Sequence, residues 1–173
     1  MDPRQLYAVR RRMGYLFQGA ALYDSMSVRD NLEFPLRHRP MTDEDRMGEK
    51  VAEQLRLVGL INAIDKMPSQ LSGGMRKRVG LARALITQPE IMLYDEPTTG
   101  LDPLTGRDIS HLIQNLQQEY QMTSIAVTHD LACARIIGDK VAMLHEGAIC
   151  FEGALDGMEK AQNEFVKRFI DAA

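Results

Sequence analysis

Tryptophan is absent from the 173 residues, cysteine occurs twice, and neither sign of charge dominates. Each shortage argues against a class of protein. Cys133 and Cys150 form neither a disulfide framework nor a metal-ligand spacing, which fits a reducing compartment. The 21 Lys and Arg against 24 Asp and Glu leave a net charge of −3. That balance argues against an obligatory polyanion binder and leaves room only for a local basic patch. No uncharged run approaches the roughly 20 residues of a membrane-spanning helix. No apolar stretch follows the charged start Met-Asp-Pro-Arg-Gln, so no signal peptide is expected. Repeats and low-complexity tracts are missing as well. What is there is 45% apolar and 26% charged, the profile of a folded domain rather than a disordered chain. The length fits one domain with a real core.

Short strands alternate with helices, which predicts an α/β fold with a mainly parallel sheet. Met13–Gln18 reads as a strand followed by a Gly-Ala-Ala loop. A helical turn from Val28 is expected to stop at Pro35. Thr42 and Asp45 have the spacing of a capping box. Met47, Val51, Leu55 and Val58 then recur at helical period, with Gly59 as the C-terminal cap. The loop Gln70–Gly74 feeds a helix from Met75 to about Thr87. Its basic face is Arg76, Lys77, Arg78 and Arg83; its apolar face is Val79, Leu81, Ala82, Leu85 and Ile86. Ile91–Tyr94 reads as a buried strand closed by Asp95-Glu96-Pro97. A long helix follows from Pro103, with Ile109, Leu112, Ile113, Leu116 and Tyr120 on one face. Ser124–Thr128 reads as another buried strand, followed by a short helix up to Gly138. Lys140–Leu144 and Ala148–Phe151 form a hairpin through Glu146-Gly147. Met158–Ile170 is read as a helical tail that docks through Phe165, Phe169 and Ile170.

Five stretches carry chemistry. Asp95 and Glu96 close a strand, and in open α/β sheets ligands sit beyond the carboxyl ends of strands. One acid there can hold Mg2+, usually through water, and the next can polarise a water for attack on a phosphoryl group. Leu71-Ser72-Gly73-Gly74-Met75 places two glycines at a helix start, where free amides and the helix dipole suit an anion, and Ser72 adds a hydroxyl. His129, beside Asp130, follows a strand and can bond a terminal phosphate oxygen. Gln18 stands at another strand end as a donor to water or a metal ligand. Asp102, six residues after Glu96, precedes the Pro103 helix. Singly, each has a plainer account: a solvated turn, Ser72 as an N-cap, a structural histidine, a surface amide, Asp102 as a helix cap.

Jointly, Gln18, LSGGM, IMLYDEP, Leu101-Asp102-Pro103 and Thr128-His129-Asp130 resemble the ATP-binding-cassette ATPases, from about Tyr7 to Gly153. The resemblance implies a partial P-loop NTPase fold, with a helical signature subdomain over about 28–88 inserted in a RecA-like remainder. It implies ATP and Mg2+ as cofactors. By this likeness Gln18 is the Q-loop glutamine and, with Asp95, a metal ligand. Ser72, Gly73 and Gly74 are the signature that clamps nucleotide across a dimer. Asp95 and Glu96 match the Walker B aspartate and catalytic glutamate, Asp102 the D-loop, and His129 the switch histidine. Leu16–Arg37, and Met75 where most relatives carry Gln, look like the Mla-type ATPases of phospholipid traffic in the bacterial envelope. The likeness implies an integral membrane permease as partner, a dimer with another ATPase subunit and no nucleic acid. It also implies a cytoplasmic location, peripheral on the inner face of the cell membrane. Leu22, Tyr23, Met26 and Val28 are expected to form the apolar surface that meets the permease; the alternative is that they are core.

The family's phosphate cradle, G-x-x-x-x-G-K-[ST], is not found: the sequence holds no Gly-Lys pair, and Met1 lies 17 residues before Gln18. The expectation is therefore a family member lacking its N-terminal portion and inactive alone. A second reading is a non-catalytic module that binds the permease or donates Ser72–Gly74 to a complete subunit. A third, a DNA-associated ATPase, would use Arg10–Arg12 and Arg76–Arg78 as phosphate contacts. The acidic total and the lack of a long coiled-coil insertion speak against it, and a solvated basic face accounts for the arginines.

Overall fold

A computed structural model describes residues 2–37 and 44–172. Helix α1 (Pro3–Arg10) is exposed, and β1 (Met13–Leu16) begins a three-stranded parallel sheet. Its order is β1, β2 (Ile91–Asp95), β3 (Thr123–Val127). Leu16 pairs with Tyr94 and Tyr94 with Ala126, so all three carboxyl ends lie along one edge. Parallel neighbours need crossovers, and helices supply them. β1 reaches β2 through α2 (Val28–Arg37), α3 (Glu44–Leu57) and α4 (Gly73–Leu85); β2 reaches β3 through α5 (Pro103–Tyr120). Then come α6 (Leu131–Ile137), a separate antiparallel hairpin of β4 (Val141–His145) and β5 (Ala148–Gly153), and the short helices α7 (Leu155–Met158) and α8 (Glu164–Asp171).

Two apolar clusters meet on α4. Its Leu81 and Leu85 pack with Leu16, Met92 and Tyr94 of the sheet and with Ile109, Ile113 and Leu116 of α5. Its Val79 and Ala82, with Ile86 just past its end, join Val28, Leu32 and Leu36 of α2 and Val51 and Leu55 of α3. A helix apolar on two sides has to lie between two layers. α3 ends as the sequence predicts. Gly59 takes φ +71, its amide returns to Arg56, and the Leu60 amide reaches the Leu55 carbonyl at 2.7 Å, the paired bonds of a left-handed helix stop. The β4–β5 hairpin turns on Glu146 and Gly147, both with positive φ, as a tight two-residue turn requires.

Several expectations are revised. Pro35 does not stop α2, which runs on to Arg37. So late in the helix its ring removes one backbone bond, to the Asn31 carbonyl, and the fully buried Leu32 and Leu36 hold the turn. α4 starts at Gly73 rather than Met75, because Ser72 Oγ accepts the Met75 amide at 3.2 Å. β1 ends at Leu16, two residues before Gln18. β3 is not buried: it edges the sheet, and Ile125 and Val127 are 61% and 63% exposed. The Met158–Ile170 tail is not one helix: α7 ends at Met158, and Asn163 Oδ1 caps a new start at Phe165 and Val166. Val166 is the buried residue there, and the Phe165 ring stacks on His145 at 3.6 Å. The Thr42–Asp45 capping box lies outside the described residues.

Candidate functional site

The carboxyl edge of the sheet gathers three of the candidate residues. Glu96 follows β2 in a left-handed conformation (φ +47) that a non-glycine residue keeps only when its surroundings hold it. Four groups do so. Its amide donates to the Val127 carbonyl at 2.9 Å, and its own carbonyl accepts from Lys77 Nζ at 2.8 Å. Its carboxylate accepts from Thr99 Oγ1 and meets His129 Nδ1, each at 2.9 Å. His129 is 72% exposed, and the Glu96 hydrogen bond and charge hold its pKa above the usual histidine value, Asp130 adding a smaller push. Asp95, the last residue of β2, receives the Tyr15 hydroxyl at 3.4 Å. Asp130 is structural: it caps α6 through the Ala132 and Cys133 amides and accepts from Thr98 Oγ1.

Ser72, Gly73, Gly74 and Asp102 form a second group. Ser72 is an N-cap and Asp102 another, the latter taking the Leu104 and Thr105 amides. The hydroxyl and amide of Thr105 lower the Asp102 pKa. The loop and the turn press together: a Cβ at Gly74 would lie 2.6 Å from Thr105 Cγ2, and one at Gly73 3.3 Å from Leu101 Cδ2. Gly74 therefore serves close packing, while Ser72 is exposed and Gly73 half-buried. Gln18 joins neither group; it is exposed just past β1 and makes no hydrogen bond among the described residues.

Of the basic residues of α4, Arg76 is exposed, Arg78 and Arg83 are half-buried and Lys77 is buried. Each grips a backbone carbonyl: Arg76 that of Leu71 at 2.6 Å, Lys77 that of Glu96, Arg78 that of Val58 at 3.2 Å, Arg83 those of Ala20 and Ala21. Ala20 and Ala21 are left-handed, so Arg83 secures the strained loop that follows Gln18. Beyond it, Val28 is core and Leu22 packs on that core, while Tyr23 is exposed and its ring meets that of Phe34 at a tilt. Sequence reasoning missed Lys77, Arg83 and Thr99. Lys77 had a signal: it interrupts the stripe Gly74-Lys77-Leu81-Leu85, a charge on a core face.

These residues fit Mg2+ in part. No cluster of three His, Cys, Asp or Glu occurs among the described residues, but this ion needs only one or two carboxylates when phosphates complete its shell. Asp95, at the edge and only half-buried, meets that need. A cradle for the phosphates themselves is not found among the 173 residues.

A family model described as "ABC transporter" matches residues 1–99. The chain belongs to the ABC transporter family. It is 39% identical over 168 residues to the probable ribonucleotide transport ATP-binding protein mkl of Mycobacterium leprae, covering 97% of this chain and 48% of that protein. It is 38% identical over 170 residues to the intermembrane phospholipid transport system ATP-binding protein MlaF of Haemophilus influenzae, covering 98% of this chain and 64% of that one. The chain thus spans about half to two thirds of these relatives. Among solved structures, the ATP-binding cassette MJ0796, dimeric in a post-hydrolysis state with ADP and Pi, superposes with a TM-score of 0.78 at 33% identity. That match covers 90% of this chain and 68% of MJ0796. The α/β fold with its parallel sheet is that of ABC ATPase cassettes.

Proposed function

We propose that this family member is an ATP-binding and ATP-hydrolysing subunit of a membrane ABC transporter, acting on phospholipid in the bacterial envelope. The observation that carries the reading is the Glu96 carboxylate, held by His129 and Thr99 at the carboxyl edge of a parallel sheet. There Glu96 orients a water, and the exposed imidazole of His129 offers Nε2 to a terminal phosphate oxygen. Asp95, with Gln18 at the neighbouring strand end, is the ligand pair for Mg2+, which when bound offsets phosphate charge. Ser72 and Gly73, at the positive end of α4, face the nucleotide of a second ATPase subunit. Asp102 fixes the turn against which that loop packs. The phosphate cradle has to come from outside these 173 residues.

The two clusters on α4 support a helical subdomain over about 28–88 and a RecA-like remainder. The permease would dock on the segment around Tyr23, which keeps the chain peripheral on the inner face of the cell membrane. Phospholipid as cargo rests on the Leu16–Arg37 stretch, on Met75 and on the similarity to MlaF; mkl, equally similar, is named for ribonucleotide transport.

The test uses the transporter assembled in its own cell and isolated through a tag on this chain. Glu96→Gln should lower ATP turnover roughly 10²- to 10⁴-fold. Ser72→Asp keeps the helix cap but sets a negative charge where the anion would sit. Loss with Ser72→Asp and not with Glu96→Gln makes the chain a donor of its signature loop, the second reading. Unchanged turnover in both variants overturns the two readings together.

A further inference from the structure

Lys77 is 6% exposed. Burial lowers its pKa below the usual lysine range, while Glu96 and Asp95 pull the other way. A lysine this buried needs a partner, and Lys77 Nζ donates to the main-chain oxygen of Glu96. An apolar side chain of similar size would fill the space without desolvating a charge, so packing alone does not account for an ammonium there. The bond it makes does. The Glu96 amide is fixed to β3, and the carbonyl of the same residue, which also takes the Thr99 amide at 3.3 Å, is tied by Lys77 to α4. With both ends pinned in the left-handed conformation, the side chain is directed to His129 and Thr99.

We propose that Lys77 is a positioning residue: through the Glu96 carbonyl it sets where the Glu96 carboxylate stands, and it ties that placement to the helix that begins at Ser72–Gly74. Lys77 lies about one turn along α4 from the glycine pair. A displacement of the signature loop is thereby passed to the Glu96 backbone by the Lys77 side chain. The effect on turnover rests on the reading of Glu96 given above; the effect on geometry does not.

Two variants separate these parts. Lys77→Met removes the donor and keeps most of the volume, and Lys77→Arg keeps a donor. In the 173-residue chain, NMR titration should show His129 in Lys77→Met falling back toward the ordinary histidine value, with the melting temperature unchanged or higher. In the assembled transporter, kcat should fall roughly 10- to 100-fold at unchanged KM for ATP, and Lys77→Arg should restore most of it. A folded Lys77→Met chain with the His129 titration of the wild type overturns the proposal. So does equal loss of kcat in the Met and Arg variants. If Lys77→Met does not fold, Lys77→Leu, which also removes the donor, takes its place in both measurements. If Glu96→Gln leaves turnover intact while Lys77→Met still moves His129, the reading of Glu96 fails and the positioning contact stands.

Discussion

The two faces of the parallel sheet have opposite surroundings. Leu16, Met92 and Tyr94 disappear beneath α4 and α5, together with the apolar side of those helices. Tyr15, next to Leu16 on β1, and Ile125 and Val127 of the edge strand β3 stand exposed on the other face. The strands are nevertheless apolar on both sides, the composition of a sheet covered twice. The difference shows that burial here is decided by which helices lie alongside, not by the strand residues themselves. It also separates duties within β2. Tyr94 points into the core, whereas Asp95, one residue on, turns to the bare face, where Tyr15 reaches it and a ligand can approach.

The largest test of this contrast is a truncation on each face. Met92→Ala should cost about 2–5 kcal/mol, because it empties a site closed by α4 and α5. Ile125→Ala should change stability by less than about 0.5 kcal/mol, since its side chain already meets water. Chemical denaturation of both variants measures the pair. A loss at Ile125 equal to that at Met92 would erase the distinction between the faces.

The same contrast explains what could be read from the sequence. The covered face, the helical period of α3, the Gly59 stop and the Glu146-Gly147 turn were legible, because each is written in local spacing or in a residue that permits positive φ. The exposure of β3 was not. An apolar run reads as buried whether or not anything lies over it, so Ile125 and Val127 gave the wrong answer. Pro35 misled in the reverse direction, since a local rule about proline yields to Leu32 and Leu36 in the core. At the site, Asp95, Glu96 and His129 were legible as acids and a base at strand ends, and the structure brings Glu96 and His129 into contact. The contacts that hold Glu96 were hidden. Lys77 is 19 residues away and its role runs through a backbone carbonyl, which leaves no trace in residue type.

A smaller effect tests the edge where the faces meet. The His129 pKa is raised by Glu96. A raised folded-state value means that the pair's stability is fully present below the unfolded histidine value and is lost as pH rises through the folded one. The melting temperature should therefore slip slightly as pH climbs from about 6.5 upward, and His129→Gln should flatten that slope. High salt should shrink it as well, because His129 is exposed and the contact is screened. A wild-type slope that His129→Gln leaves intact would mean that other groups set the pH dependence.

The smallest change in folding stability should come with a clear change in behaviour. Ile125→Thr together with Val127→Thr keeps β-branched residues in β3, so the strand loses no propensity and stability should move by less than about 0.5 kcal/mol. The bare face, however, combines exposed apolar side chains with an unpaired strand edge, the combination that drives self-association. Sedimentation velocity should show the wild-type chain associating with rising concentration and the double variant doing so less. The two measurements together decide the matter. Loss of stability without loss of association would show that β3 is held by contacts on its exposed face, and the faces would then differ in exposure but not in what they contribute to the fold.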